Sequence, residues 1–370
     1  MIPQDFSNMN QAKKIQVTLW ASLLSVVFCF AQNKRTGGDV FFFQYEYQKA
    51  VQAYEKQLSE GTLTKQQFLN LADAYFETNN FEKASEAYIK IYDQDTLMDS
   101  HHYNKMLQSL SKSPNAKGKE DFLASISSSF SKELNENKEF NEQLIKNGSD
   151  ENQLDYEIFN LEGNSPQTDF APGFYNSKLL FSSGRPGNKK LRYEPGNEGY
   201  FNIYETTIQP SGKIMTLQPF KALEETDFHK ATPSYSSDLN SVFYVVSNTQ
   251  NGDLAFDSNG KNALGIAKQA IGGANQLLLK DLSTSFYYPF YDDSSGKLYF
   301  AADFEGGYGG TDIYFVYTNK GQVMSAPINL GPRINSSGNE IAPFIFENSF
   351  YFASDVFYGL GGMDIYKSNM

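Results

Sequence analysis

Four short segments that each end in proline recur along the C-terminal part of this 370-residue chain. After each proline come a strand-like run, a turn and a second, aromatic strand. The segments occupy 169–172, 229–233, 286–289 and 340–343, and their prolines are 61, 56 and 54 residues apart. Units of three or four short strands at such a period are typical of propeller blades. We therefore predict a WD-like, all-β propeller domain of four recognisable blades over 154–370.

Each unit continues with the same order of strands. The aromatic second strands are predicted at 179–183, 242–246, 298–303 and 351–355. A Gly-rich turn and a third strand follow in three units, at 201–204, 312–314 and 364–366. Runs of four to six alternating residues between Gly, Asn, Asp and Ser clusters are the pattern of antiparallel strands.

A further match concerns how the propeller closes. Residues 328–331, before the fourth unit, resemble 158–162, before the first. The segment 156–161 is therefore predicted to be an outermost strand. Such a strand could complete the last blade by pairing with the strands within 351–366.

The segment 39–145 has a different composition, with little Pro or Gly and much Ala, Glu, Lys and Leu. Within 68–95, two apolar faces at helical spacing flank Asn79 and Asn80, which we predict to be a turn. The pair Ala50 and Tyr54 recurs 34 residues later as Ala84 and Tyr88. This spacing is similar to the tetratricopeptide repeat, a helix–turn–helix unit. The alternative is an ordinary amphipathic helical domain.

The predicted fold is thus a multidomain α+β chain. An N-terminal α-helical domain of tetratricopeptide-like repeats precedes the all-β propeller domain. In such repeats a small residue lets neighbouring helices approach closely. We therefore expect Ala50, Ala72 and Ala84 to be buried where helices meet.

The N-terminus has the features of an export signal. Lys13 and Lys14 precede an apolar run over 15–30, which is shorter than the roughly 20 residues of a membrane-spanning helix. We predict a cleaved signal peptide at 1–31 and therefore export of the chain. The alternatives are lipid attachment at Cys29 and an uncleaved anchor.

Charge and residue counts exclude several kinds of function. The formal net charge is −12, and an acidic surface repels phosphate backbones, so nucleic acid is not an expected partner. One cysteine and three histidines exclude a Cys-rich zinc site and a disulfide framework.

Acidic residues at equivalent places in the units are the candidate catalytic groups. Asp303 and Asp355 follow the second strands of the third and fourth units, and in a central channel they could act as a glycosidase pair. The alternative, which we predict, is that each caps the Gly-rich turn that follows it. If two or more of Asp303, Asp355, Glu340 and Asp293 converged within about 5–10 Å of each other around a pocket, the enzyme would be favoured, and dispersed positions would argue against it.

Other motifs predict structure rather than chemistry. Asp312 and Asp364 are predicted to cap turns, 292–296 to form a hairpin turn, and His229 to be structural. Residues 257–260 lack the later Glu of a calcium loop, adjacent His101 and His102 point to different sides of a helix, and 306–310 is a turn rather than a phosphate loop. We therefore predict no catalytic, cofactor-binding or metal-binding residue, and no cofactor.

The order of export signal, tetratricopeptide-like helices and blades carrying Gly-Gly-x-Asp-Ile-Tyr at 309–314 and 361–366 resembles a known family. It is the OmpA family of periplasmic, outer-membrane-associated proteins found with type IX secretion and gliding systems. Their propeller repeats are of the WD-like type also seen in TolB. The C-terminal domain by which family members grip peptidoglycan has no counterpart here, so peptidoglycan binding is not implied.

The resemblance implies a non-catalytic scaffold rather than an enzyme. Such a scaffold would lie in the periplasm, in peripheral association with the outer membrane. It would bind other envelope proteins of a secretion or gliding machinery through its helical groove and propeller loops. The alternative is a carbohydrate- or peptide-active propeller enzyme that uses carboxylates of its channel.

Overall fold

The computed structural model describes residues 37–94, 98, 100–113, 161–186, 192–193, 198–209, 213–357 and 362–369. Five α-helices come first: α1 (Gly37–Phe43), α2 (Tyr47–Glu60), α3 (Lys65–Glu77), α4 (Phe81–Gln94) and α5 (Ser100–Lys112). None of these described helices is long and apolar enough to cross a membrane. The predicted signal peptide at 1–31, with Cys29, lies outside the described residues.

Local sequence signals set the bounds of the helices. Helix α3 starts at a capping box, in which the Thr64 hydroxyl accepts the Gln67 N–H at 3.2 Å and the Gln67 side chain accepts the Thr64 N–H at 3.1 Å. Such a box satisfies two N–H groups that the first helical turn leaves free. The predicted turn between α3 and α4 is confirmed, because Asn79 has a left-handed backbone with φ 58°.

The helices pack around a core with a 34-residue period. Ala50, Ala72 and Ala84 are fully buried, as predicted, and so are Tyr54 and Tyr88. The Tyr54 hydroxyl donates to Asp39 at 2.8 Å, and the Tyr88 hydroxyl donates to Asp73, the residue 34 positions after Asp39. The same contact thus occurs twice at the predicted period. Assignment to the tetratricopeptide class stays a prediction.

Twenty strands follow the helices, and most of them form four antiparallel sheets, one for each predicted unit. Blade 1 contains β1 (Asp169–Tyr175), β2 (Lys178–Ser183), β5 (Asn202–Ile208) and β6 (Ile214–Pro219). Blade 2 contains β7 (Lys230–Ser236), β8 (Ser241–Ser247), β11 (Leu264–Ala270) and β12 (Asn275–Leu279). Two small hairpins, β3 (Arg192–Tyr193) with β4 (Glu198–Gly199) and β9 (Thr249–Gln250) with β10 (Asp253–Leu254), extend from these blades.

The last two blades repeat the pattern. Blade 3 contains β13 (Phe286–Asp292), β14 (Lys297–Ala302), β15 (Asp312–Asn319) and β16 (Gln322–Val323), and β17 (Ile328–Asn329) also pairs with β15. Blade 4 contains β18 (Glu340–Phe346), β19 (Ser349–Ser354) and β20 (Asp364–Asn369). The result is a four-bladed, propeller-like domain that follows a group of helices.

The segment before the fourth unit, 328–331, contains β17, which joins the outer side of blade 3. Its predicted counterpart at 156–161 lies, except for Leu161, outside the described residues. Pairing of that segment with blade 4 therefore stays a prediction.

The proline segments share one backbone distortion. The residue before each proline has a left-handed backbone: φ is 52° at Ala171, 49° at Thr232, 47° at Tyr288 and 54° at Ala342. At the same place each first strand slips in register against its neighbour. A bulge of this kind bends a strand and redirects its side chains. The prolines thus mark the same bend in every blade.

Neighbouring blades pack through apolar side chains. Leu180 of blade 1 packs with Val242 of blade 2, and Tyr299 of blade 3 packs with Phe350 of blade 4. A third core joins blades 2 and 3, where the rings of Phe243 and Tyr291 stack 4.6 Å apart. The first strands of adjacent blades lie side by side, so β1, β7, β13 and β18 form the inner edge of the array.

Among the described residues, the helical region contacts the propeller through helix α5 and through the α1–α2 turn. In blade 4, the Asp355 carbonyl accepts a hydrogen bond from the Gln108 side chain at 3.0 Å. The turn between α1 and α2 reaches the inner strands of blades 1 to 3, where it forms one wall of a cavity.

Candidate functional site

A cavity of about 460 Å³ lies between the α1–α2 turn and the propeller. Nine of the twenty residues that line it are phenylalanine or tyrosine. Ligand sites are commonly concave, largely apolar and provided with a few polar groups, and this volume falls within their usual range of about 300–1,000 Å³. The cavity is therefore the candidate functional site.

The bends before the prolines bring the propeller side of the cavity together. Phe170, Thr232 and Tyr288 lie at or beside the left-handed positions of β1, β7 and β13, and all three line the cavity. The rings of Phe170 and Tyr288 are 6.4 Å apart although 118 positions separate them in the chain. The repeated bulge thus places side chains of three blades around one space.

On its helical side the cavity is bounded by the α1–α2 turn, which a backbone hydrogen bond stabilises. The Tyr45 N–H donates to the Phe42 carbonyl at 3.0 Å, and Tyr45 itself has a φ of 62°. This strained turn presents Tyr45 to the propeller. Burial raises the pKa of Tyr45, and the charge of Asp303 adds to the rise, while Tyr287 and Ser285 form hydrogen bonds to it. Tyr45 therefore sits as a neutral phenol against blade 3.

His229 lies among the rings of the cavity wall. Its imidazole is 4.6 Å from the ring of Tyr193, 4.7 Å from Tyr200 and 4.9 Å from Phe201, measured between centroids. Burial lowers the pKa of His229 to about 4, so the ring is neutral at physiological pH. Its Nδ1 accepts the Phe201 N–H at 3.0 Å, and the proton of the neutral ring is therefore on Nε2. His229 was predicted to be structural, and it does fix the Phe201 backbone, but it also lines the cavity.

Two carboxylates flank the cavity. Glu46 belongs to its lining, and only 10% of its side chain is exposed beside the ion-pair partner Lys49. Asp303 lies behind Tyr45 and Tyr287, where it pairs with Lys261 at 2.6 Å. Burial raises the pKa of Tyr193 to about 12, and the charges of Tyr200 and Glu46 add to that rise. The two carboxylates thus make the electrostatic potential around the rings more negative.

The predicted role of Asp303 and Asp355 needs correction. In the described residues the Asp303 carboxylate bonds to groups outside the Gly-rich turn that follows it, and residues 358–361 of the turn after Asp355 lie outside the described part of the chain. Asp303 accepts the Ser285 N–H at 2.7 Å, and Asp355 accepts the Asn339 N–H at 2.8 Å. In both blades the donor is the residue just before the inner strand, which lies opposite the carboxylate in the antiparallel ladder. Each aspartate therefore holds the start of an inner strand.

Of the four acids considered for a catalytic pair, Glu340 and Asp355 come together, but none of the four lines the cavity. Asp293 lies at the far end of β13 from Asp303, where it accepts bonds from Ser236 and Ser237. Glu340 and Asp355 are neighbours in blade 4. The Glu340 carboxyl is fully buried with the Ser336 and Ser354 hydroxyls, and burial raises its pKa to about 7. Burial also raises the pKa of Asp355.

The remaining candidates have local partners. Asp312 accepts the Tyr308 and Gly309 N–H groups at 2.7 and 3.2 Å, which confirms its turn-capping role. Asp257 accepts the Lys261 N–H at 2.9 Å, and Asp292 accepts the Ser294 N–H at 3.1 Å in the predicted hairpin turn.

The two adjacent histidines take different neighbours, as predicted. Nε2 of His102 is 3.3 Å from Asp73, whereas the His101 ring lies against Gly310 of the propeller. Within the described part of the chain, no group of three or more His, Cys, Asp or Glu side chains could hold a metal ion.

Reasoning from the sequence missed the aromatic cavity. Its rings come from distant segments, so no local spacing marks them. One signal was available in the repeats: Phe170 and Tyr288 both lie next to the turn-forming prolines.

Comparison with known proteins describes the fold of the propeller. No family model matches the chain, and no curated protein matches it. Solved structures include a TolB protein from Agrobacterium tumefaciens, at 14% identity and a TM-score of 0.34, with 55% of this chain and 59% of that one covered. The α-L-arabinofuranosidase of Clostridium thermocellum has 14% identity and a TM-score of 0.31, with 53% and 67% covered. The GH93 α-L-arabinofuranosidase of Fusarium graminearum has 11% identity and a TM-score of 0.33, with 55% and 58% covered.

These findings correct the function predicted from the sequence. We predicted a non-catalytic scaffold that binds envelope proteins and has no enzymatic activity. The similar solved structures include a galactosidase, arabinofuranosidases, an arabinanase and a xylosidase, and this goes against both statements. The chain spans about three fifths of the length of the TolB protein. At these identities the likeness describes the propeller fold and names no substrate.

Proposed function

We propose that the aromatic cavity binds a carbohydrate. The observation that carries this proposal is a concave wall rich in phenylalanine and tyrosine between the α1–α2 turn and three blades. A sugar ring has apolar C–H faces and a polar rim of hydroxyls. Aromatic side chains offer flat apolar faces, and tyrosine adds a hydroxyl at its edge. The wall therefore matches both parts of a sugar.

Polar groups between the rings support the same proposal. Gln44, Ser247 and Asn262 line the cavity together with the neutral imidazole of His229. Side chains of this kind donate and accept hydrogen bonds without a formal charge. A few such groups in an apolar pocket fix the orientation of a ligand and provide specificity.

The test measures glycan binding by the full chain. A glycan array would identify ligands, and calorimetry would give their affinities for wild type, Phe201→Ala and Tyr288→Ala. Losing one apolar ring contact of about 1.5–3 kcal/mol should weaken binding about 10- to 100-fold. Tyr317→Ala is the control, because Tyr317 is half exposed on blade 3 and is not part of the cavity lining. If no glycan binds, or if the cavity variants bind like wild type, the proposal fails.

A second candidate function is hydrolysis of the bound glycoside. The observation that favours it is the presence of Glu46 and Asp303 on two sides of the cavity, because glycosidases use a pair of carboxyl groups. Glu46→Gln and Asp303→Asn should then abolish hydrolysis of a bound oligosaccharide, whereas binding of that oligosaccharide should persist. A glycan that binds but is never cleaved by the wild-type chain would reject this candidate.

We also propose that the chain is exported and that its helices are tetratricopeptide repeats. Lys13, Lys14 and the apolar run over 15–30 support export, and the repeated Tyr–Asp contact supports the repeat class. The same features support a place among OmpA-family proteins of the outer-membrane periphery. N-terminal sequencing of the mature protein should begin at Gln32, and a start at Met1 would contradict export.

A further inference from the structure

We infer that the cavity prefers a sugar that carries a positively charged amine over a neutral sugar. This inference rests on the proposed carbohydrate function and specifies its ligand class. It depends on the rings that surround the space, the charges at its wall and the placement of the nearest cations.

The rings are arranged so that a cation would have several neighbours. Phe201 contacts Phe170 at 5.0 Å with an interplanar angle of 69°, and Tyr200 meets His229 at 61°. Because neighbouring rings are tilted steeply, both faces and edges are directed around the space. A cation within about 6 Å of a ring face is attracted by the ring quadrupole, and the attraction grows when the site is desolvated.

The described part of the wall supplies no competing positive charge. Among the described residues that line the cavity, none is lysine or arginine. The imidazole of His229 is neutral at physiological pH because burial lowers its pKa. A buried amine in the cavity would therefore meet no like charge from the lining.

The nearest negative charges come from opposite walls. Glu46 lines the cavity on the helical side. Asp303 lies behind the wall, and its charge raises the pKa of both Tyr45 and Tyr287 in addition to the effect of burial. A protonated amine between these walls would gain from Glu46 directly and from Asp303 at longer range.

The lysines that pair with these acids are held away from the lining. Lys49 is half exposed, and its ammonium lies 5.8 Å from the ring centroid of Phe41, which is not part of the cavity. The Lys261 ammonium donates to Asp303 at 2.6 Å and to the Ser283 carbonyl at 2.7 Å. Both acids thus have a lysine partner, but Glu46 lines the cavity and Asp303 does not, so Glu46 is the acid expected to determine the preference.

The experiment compares three tetrasaccharides that differ at one substituent. Calorimetry on the full chain at pH 6 would measure β-1,4-linked tetramers of glucosamine, N-acetylglucosamine and glucose. We expect the glucosamine tetramer to bind at least about 10-fold more tightly than either neutral tetramer. Tetramethylammonium would be titrated separately as a cation without a sugar.

Two variants locate the source of the preference. Glu46→Gln should reduce the advantage of the amine tetramer over the neutral tetramers to about threefold or less. Glu60→Gln is the matched control, because it removes the same charge from an exposed site on α2 and should preserve the preference. Thermal melting would show that both variants are folded.

The outcomes separate the inference from the function on which it rests. Equal binding of all three tetramers overturns the amine preference and leaves carbohydrate binding in place. Binding of tetramethylammonium alone overturns carbohydrate binding, and the inferred amino-sugar class fails with it. An amine preference that survives Glu46→Gln overturns the assignment to this cavity. The three-ligand comparison on the wild-type chain decides the preference even if Glu46→Gln fails to fold.

Discussion

The helical region and the propeller both repeat, but they repeat different things. In the helices the repeated element is a contact between side chains: Tyr54 with Asp39, and Tyr88 with Asp73. In the blades it is a backbone conformation, the left-handed residue before each proline, which different side chains occupy. The helical repeat is therefore sensitive to the identity of a side chain, and the blade repeat is sensitive to the backbone freedom of a residue.

The largest expected effect tests the side-chain contact in the helices. Asp73 is buried and accepts from Tyr88, with Lys105 at 3.4 Å and His102 at 3.3 Å. Asp73→Ala leaves the Lys105 ammonium, with only 12% of its side chain exposed, without its buried aspartate partner and with the ion pair to Glu77 at 3.2 Å. Removing one partner of a buried ion pair typically costs about 3–5 kcal/mol.

Urea unfolding followed by circular dichroism would measure this loss. Asp39→Ala is the matched control, since Asp39 accepts the equivalent tyrosine bond and a bond from Gln67 at 2.9 Å. We expect it to cost only about 1–2 kcal/mol, the value of ordinary hydrogen bonds. Equal losses of unfolding free energy for Asp73→Ala and Asp39→Ala would mean that Lys105 makes no contribution to the difference between the two sites.

One acid in each region should also contribute to folding stability with an opposite dependence on pH. Burial alone would raise the pKa of Asp73, but Lys105 and His102 outweigh it and hold that pKa below its usual range. This stabilisation is present above the unfolded pKa of about 3.9 and is lost as the pH falls further. Burial instead raises the pKa of Glu340 to about 7. Folding then favours the protonated acid, so that contribution is present below pH 4 and is lost as the pH rises through 7.

Glu340→Gln would test the blade half of this comparison. Glutamine stays neutral, so the free energy of unfolding of this variant relative to wild type should rise between pH 5 and pH 8, by about 2 kcal/mol at most. Asp293→Asn is the control, because it alters an acid of blade 3 that is hydrogen-bonded to Ser236. A difference between Glu340→Gln and wild type that stays constant with pH would contradict the burial of a protonated carboxyl.

Overpacking should distinguish the close helix contacts from the outer helix surface. Ala84 is fully buried, and Ala84→Phe should destabilise the chain by about 1–3 kcal/mol because the added ring has no space. Glu86→Phe places the same ring on the exposed side of α4 and should change stability little. Thermal melting measures both, and an unchanged melting temperature for Ala84→Phe would argue against the repeat packing.

The smallest expected effect is the change in stability when an alanine is replaced by glycine, and its sign should differ between the two regions. Ala342 has a φ of 54°, a conformation that glycine adopts without strain, so Ala342→Gly should stabilise by up to about 1 kcal/mol. Ala84→Gly in a helix should destabilise by about 1 kcal/mol or more. The midpoints of urea unfolding would compare the stabilities of these two variants. Destabilisation by both would show that the bend before the proline carries no strain.

The sequence predicted what depends on regular spacing. The blades, the turn at Asn79 and the buried Ala84 follow from periodicity, since each is determined by its near neighbours. The bonds from the N–H groups of Ser285 and Asn339 to Asp303 and Asp355 could not be predicted because they become evident only from the strand register. The cavity could not be predicted because Tyr45 and Tyr288 meet only after two regions dock.

The two-sided wall of the cavity has a consequence for how the chain unfolds. Tyr45 belongs to the helical region, whereas Phe170 and Tyr288 belong to the blades. A ligand that touches both walls binds only when both regions are folded and docked, so its binding energy would be added to their mutual attachment. In calorimetric scans, two separate melting steps of the free protein would merge into one cooperative transition as the ligand concentration rises.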